Sequence, residues 1–182
     1  MKLKAFFKEW IVPIGAAIIL AVLINKFLFF QVSVPTKSMY PTIAPGDRII
    51  VTRVYNEEKL KTGDIVVFYS EELQETLIKR LIGLPGDEIR VDENRDVFVN
   101  GKKIEQPYVV YNGGKGGEFK VPEGHYFFMG DNRANSWDSR YWQNSYVPED
   151  SIKGKARFIV FPFDRFGDFK IGEEAVKSVE NR

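Results

Sequence analysis

The run from Trp10 to Phe30 constrains this chain more than any other stretch, being apolar except for Asn25 and Lys26, with Pro13 tolerated near its start. It is long enough to cross ~30 Å of hydrocarbon as a helix, and a helix satisfies every backbone polar group it would carry there. A cleavable leader is the competing reading. It is disfavoured because Phe27-Leu28-Phe29-Phe30-Gln31 puts bulky residues where cleavage needs small ones. Lys2, Lys4 and Lys8 crowd the front of the run. The positive-inside tendency then puts residues 1–9 in the cytoplasm, residues 10–30 in the membrane as a single-pass anchor and residues 31–182 outside the cell. Lys26, near the outer end, can extend its stem to the interface.

Beyond the anchor the punctuation is that of β-structure. Arg48–Val54, Ile65–Tyr69, Tyr126–Met129 and Gly154–Pro162 are short runs rich in β-branched and aromatic residues, each preceded by Pro, Gly or Asp turns. Asn100-Gly101 between apolar runs suits a type I′ hairpin turn. Residues 92–123 read as a short insertion, and the glycines of Asn112-Gly113-Gly114-Lys115-Gly116-Gly117 as a flexible surface loop. They lack the Gly-Lys-Ser/Thr ending of a phosphate loop. With 182 residues there is room for one ordinary domain. A net charge of +1, with basic residues spread among acidic ones, leaves nucleic acid no electrostatic footprint.

Ser38, between Pro35 and Pro41, is a candidate nucleophile in need of a base. The chain has no cysteine, which excludes thiol chemistry, and its single histidine cannot build a multi-histidine zinc site. His125 reads as the first residue of a strand after a Pro/Gly turn. The better partner is Lys79. Strand alternation puts Leu77, Lys79 and Leu81 on one face and Ile78, Arg80 and Ile82 on the other, so one of two adjacent cations points into apolar company. A desolvated lysine loses basicity, and bringing it from ~10.4 to ~7–8 takes about 3–5 kcal/mol of differential desolvation. Only a shielded site can supply that.

Ser38-Met39-Tyr40-Pro41-Thr42, then Lys79-Arg80-Leu81-Ile82-Gly83-Leu84-Pro85-Gly86-Asp87, then Gly130-Asp131-Asn132-Arg133-Ala134-Asn135-Ser136-Trp137-Asp138-Ser139-Arg140 resemble the box set of bacterial type I signal peptidases, in the same order and after the same kind of anchor. The resemblance extends to about Phe163, and the tail after Gly167 carries no readable signal. It implies a mainly β fold: an N-terminal transmembrane helix, then an extracytoplasmic all-β catalytic domain with a short inserted β subdomain. It implies a serine endopeptidase that removes signal peptides from secreted preproteins without a cofactor or metal, Ser38 being the nucleophile and Lys79 the base. By the same resemblance Thr36 supplies an oxyanion hydroxyl beside the Ser38 N–H. Ser136 hydrogen-bonds the lysine, and Asp131, Asp138 and Arg140 form ion-pair scaffolding. Val34, Pro35, Met39, Ile43, Leu77 and Ile78 line, by motif position, an apolar pocket that admits small side chains. A carboxylate beside the dyad would raise the lysine pKa, so Asp131 is expected to pair with Arg80, the nearest fixed cation in sequence.

The expected partners are signal peptides, membrane lipid and, by proximity, the secretion translocon, with no nucleic acid. Two rivals make different demands. A self-cleaving Ser/Lys regulator of the repressor type would be soluble and linked to DNA. A non-enzymatic, membrane-tethered β-domain would leave Ser38 and Lys79 far apart.

Overall fold

The computed structural model describes residues 7–180. Residues 1–6 of the segment assigned to the cytoplasm, Lys2 and Lys4 among them, lie outside the described residues. A π-helical turn, Phe7–Ile11, leads into α1, Val12–Phe27, a helix of 16 residues with Pro13 in its first turn, where a missing N–H costs nothing. Among the described residues no helix is long and apolar enough to cross a membrane.

The transmembrane helix expected over residues 10–30 is therefore not borne out at that length. The helix stops at Phe27 and Phe29 already opens strand β1, Phe29–Ser33. The cause lies in the following domain. Arg53 Nε donates to the Lys26 carbonyl at 2.8 Å and Tyr55 Oη to the Phe27 carbonyl at 2.6 Å, satisfying acceptors that a helix end leaves orphaned. The next residues pair with β2, Arg48–Arg53, in antiparallel register from Phe29 opposite Thr52 to Ser33 opposite Arg48.

The remaining strands are β3 (Ile65–Ser70), β4 (Glu75–Gly83), β5 (Glu88–Val91), β6 (Val97–Val99), β7 (Lys102–Lys103), β8 (Gly117–Lys120), β9 (His125–Met129), β10 (Val147–Pro148) and β11 (Ile152–Phe161). They form a seven-stranded antiparallel sheet in the order β1-β2-β11-β3-β4-β9-β10 and a four-stranded sheet in the order β7-β6-β5-β8. The smaller sheet holds the insertion. It begins at Glu88 rather than at Asp92, because Ile89 pairs on one side with Val99 and on the other with Phe119. Asn100 and Gly101 both take positive φ, 51° and 77°, as a type I′ hairpin requires.

Three apolar clusters hold the sheets. One joins the segment around Ser38 to β2, β3 and β11 through Val34, Met39, Ile43, Ile49, Val51 and Val67. A second surrounds Phe68 and Phe128, stacked with ring centroids 4.4 Å apart, a pairing worth roughly 0.5–1.5 kcal/mol beyond burial. The third, around Ile82, Ile89 and Phe127, fastens the small sheet to the large one. Glu75 is the first residue of β4. The tail that carried no signal forms α2, Gly172–Glu180, with Ala175 buried on its inner face.

Candidate active site

The segment from Val34 to Asp47 is a closed loop. Val34 donates to the Asp47 carbonyl at 3.0 Å and Gly46 to the Val34 carbonyl at 2.8 Å, so its two ends meet. Within it, Ile43 N–H reaches the Met39 carbonyl at 2.9 Å, one helical turn that drives Met39 and Ile43 into the core. Both were expected in the substrate pocket. Both are fully buried in the first apolar cluster instead and do not line the cleft.

Ser38 is buried, and its carbonyl accepts the Asn132 N–H at 3.1 Å while Asn132 Nδ2 donates to the Lys37 carbonyl at 3.2 Å. The loop after β9 thus grips the Ser38 turn from one side. From the other side comes β4, where Lys79 is 4% exposed and its Nζ lies 2.5 Å from Ser38 Oγ. Burial pushes the Lys79 amine down to about 8 from an ordinary 10.5, against the opposing pull of Asp138, Glu75 and Asp131. Thr36 Oγ1 lies 3.4 Å from Ser38 Oγ.

Alternation along β4 sends Arg80 elsewhere. Its guanidinium meets Asp131 at two points, Nε to Oδ1 at 2.7 Å and Nη2 to Oδ2 at 2.6 Å, donates to the Gly63 carbonyl at 2.7 Å and covers the Tyr108 ring at 3.7 Å. Asp138 is fully buried and holds Arg140 by a second fork, 2.8 and 2.9 Å, while its Oδ2 accepts the Gly130 N–H at 3.0 Å. Arg140 Nη1 in turn donates to the Gly113 carbonyl at 2.9 Å. Gly114 packs so close to this guanidinium that a Cβ there would collide with it. Part of the supposed surface loop is therefore a lid on the Asp138–Arg140 pair, and its glycines are there for close approach.

Ser136 is buried against Gly130, but its Oγ makes no hydrogen bond to any described residue. The bond expected between Ser136 and Lys79 is not formed. His125 opens β9, its Nδ1 2.9 Å from the Glu123 carbonyl. Among the described residues no cluster of three His, Asp or Glu side chains could hold a metal ion.

A cleft of about 640 Å³ runs up to the Ser38–Lys79 pair, walled by Val34, Pro35, Leu77 and Ile78. Phe30 and Val32 of β1 complete the wall. Sequence reading left both out of the pocket, Phe30 because it was counted in the apolar run and Val32 because pocket residues were taken by motif position, although the alternation Phe30, Val32, Val34 was there to be read.

A family model described as signal peptidase, peptidase S26, matches residues 7–161. The chain belongs to this peptidase family. Signal peptidase I T of Bacillus subtilis (strain 168) is 40% identical over 174 residues, covering 89% of each chain. The probable signal peptidase I-2 of Synechocystis sp. is 38% identical over 159 residues, 83% of this chain and 72% of its own. A solved signal peptidase I from Enterococcus faecalis V583 is 30% identical, with a TM-score of 0.48 over 53% of this chain and 96% of its own. Of this peptidase's described residues, those from Pro162 to Glu180, α2 included, lie beyond the family match.

Proposed function

We propose that this peptidase removes N-terminal signal peptides from secreted preproteins at the outer face of the cell membrane, with Ser38 as nucleophile and Lys79 as general base. The observation that carries the proposal is the buried 2.5 Å approach of Lys79 Nζ to Ser38 Oγ, with the amine near 8. A lysine in that condition is neutral in a useful fraction of molecules at neutral pH and can accept the serine proton.

Neutral Lys79 takes the proton of Ser38 Oγ as the oxygen attacks the scissile carbonyl. The oxyanion is met by the Ser38 N–H and the Thr36 hydroxyl. As the C–N bond breaks, the proton passes from Lys79 to the departing amine, which becomes the new N-terminus of the mature protein. The signal peptide remains as an ester on Ser38. Lys79 then takes a proton from water, the hydroxyl attacks the ester, and Ser38 recovers its proton as the peptide acid leaves.

The apolar walls beside Ser38 favour small side chains just before the cleaved bond by excluding large ones. β9 pairs with β4 only from Arg80 onward, so Glu75–Lys79 present a strand edge to the cleft, suited to an extended peptide. Anchoring rests on α1, whose Ile14, Ile18, Ile19, Leu20 and Val22 are all more than half exposed. Its 16 residues rise only ~24 Å, and the preceding turn from Phe7 extends the helical path toward the ~30 Å of a hydrocarbon core. Lipid around α1, and the translocon that delivers the substrate, are the partners this arrangement calls for.

The test is cleavage of a preprotein in detergent by the wild type and by Ser38→Ala. The variant loses one oxygen, should fold normally and should not cleave. Undiminished cleavage by it would remove the central claim.

A further inference from the structure

We propose that Arg165 is a positioning residue for Ser38, and that the C-terminal segment carrying it belongs to the working catalytic unit. The inference rests on Ser38 being the nucleophile. Arg165 closes a short 3-10 turn, Phe163–Arg165, that follows β11 beyond the matched family residues. Its side chain nevertheless runs back into the nucleophile loop and is 2% exposed.

There Nη2 donates to the Thr42 carbonyl at 3.0 Å and to the Pro41 carbonyl at 3.3 Å, and lies 3.0 Å from Asp47 Oδ2. The same Asp47 oxygen accepts the Ala44 N–H at 2.8 Å. Nη1 donates to Ser178 Oγ of α2 at 2.8 Å, and Ser178 Oγ donates onward to the Ala175 carbonyl at 2.7 Å. The last helix is thereby tied through one guanidinium to the turn that carries Ser38.

The direction of these bonds separates positioning from plain support. The loop is already closed at its base by the Val34–Asp47 and Gly46–Val34 bonds. At the base Arg165 adds only its ion pair with Asp47. It takes hold of two main-chain carbonyls in the middle of the loop, in the same turn that the Ile43–Met39 bond closes, while Asn132 holds the Lys37 and Ser38 carbonyls from the other side. The turn bearing Ser38 is thus fixed at two points, and releasing one lets it pivot about the other. The dyad depends on a separation of 2.5 Å. A misplacement of ~1 Å is enough to cost ~10²-fold in rate.

The experiment measures steady-state cleavage of a signal-peptide-bearing precursor by the full chain in detergent, with thermal melts in parallel, for Arg165→Gln, Arg165→Lys and Ser178→Ala beside Ser38→Ala. Arg165→Gln is expected to lower kcat ~10²-fold with KM nearly unchanged, because the substrate cleft is intact and only the attack geometry is lost. Arg165→Lys, which keeps the charge without the fork, should recover part of that loss. Ser178→Ala should fold like the wild type and lose kcat several-fold. If Arg165→Gln does not fold, the other two variants decide: reduced kcat at a normal melt supports the proposal. Full kcat in the folded variants, or a loss confined to KM, overturns it while Ser38→Ala remains inactive. Cleavage by Ser38→Ala overturns instead the reading on which it rests, and this proposal falls with it.

Discussion

Arg80 holds Asp131 through a two-point fork, 2.7 and 2.6 Å, and by doing so balances one of the carboxylates that raise the pKa of the neighbouring Lys79 amine. Asp131 still raises the Lys79 pKa, but it ranks behind Asp138 and Glu75, and desolvation outweighs all three. Two adjacent cations on one strand thus differ: one stays charged and paired, the other is buried and holds its proton less tightly.

Asp131→Asn breaks a pair whose side chains are 9% and 0% exposed. Removing one member of such a pair costs ~3–5 kcal/mol, because the remaining charge is left buried without its partner. The melting temperature should fall clearly, and activity with it. Thermal melts and pH–rate profiles of the variant check this. A normal melt accompanied by a displaced pH limb would show that Asp131 acts on Lys79 directly.

The Lys79 pKa sets two pH dependences. With the neutral amine as the proposed base, kcat/KM should rise with pH through about 8, and Lys79→Arg, which stays protonated, should be inactive. A lysine with a depressed folded pKa binds fewer protons in the folded state than in the unfolded one. Stability therefore climbs between about pH 8 and 10.5, and below pH 8 the burial cost, about 3 kcal/mol, stands in full. Lys79→Met should accordingly be inactive yet melt higher than the wild type at pH 7. That advantage should shrink at pH 10.

Thr36 tests where charge develops. Thr36→Val should lose ~10²–10³-fold in turnover, the usual effect of deleting one oxyanion donor, and Thr36→Ser should keep most of the activity. Binding should change little, since the donor acts on charge that appears only in the transition state. Tolerance of valine would place the donor elsewhere.

What could be read from the sequence was local. Turn residues and β-branched runs mark β2, β3, β9 and β11, and alternation along Leu77–Ile82 separates Lys79 from Arg80. The errors share a cause. Phe27 to Phe30 is equally apolar as a membrane helix or as the edge of a sheet, and what decides between them is Arg53 and Tyr55, distant side chains that cap the helix. Met39 and Ile43 fit a pocket by motif position, but a single helical turn, Ile43 N–H to the Met39 carbonyl, carries both inward. Arg165 meets Thr42 across 123 positions, and no local pattern announces such a bond.

The last prediction concerns Gly130, where the two loops of the site touch. A Cβ on this residue would collide with the Ser38 carbonyl oxygen and with Ser136 Oγ, and would come within 2.6 Å of Ser136 Cβ. The Ser136 side chain is short, and the Ser38 carbonyl is backbone already held by Asn132, so neither yields without moving the nucleophile turn. Gly130→Ala should therefore cut turnover sharply, by displacing Ser38 from Lys79. Ser136→Ala offers the contrast. Its buried hydroxyl has no partner among the described residues, so removing it should leave the melt unchanged or slightly raised. Combining the two substitutions removes the collision with Ser136 Oγ but leaves those with the Cβ of residue 136 and with the Ser38 carbonyl. The double variant should then melt higher than Gly130→Ala alone and remain nearly as slow. Recovery of turnover in the double variant would mean that the Ser136 hydroxyl, rather than the Ser38 backbone, is what Gly130 makes room for.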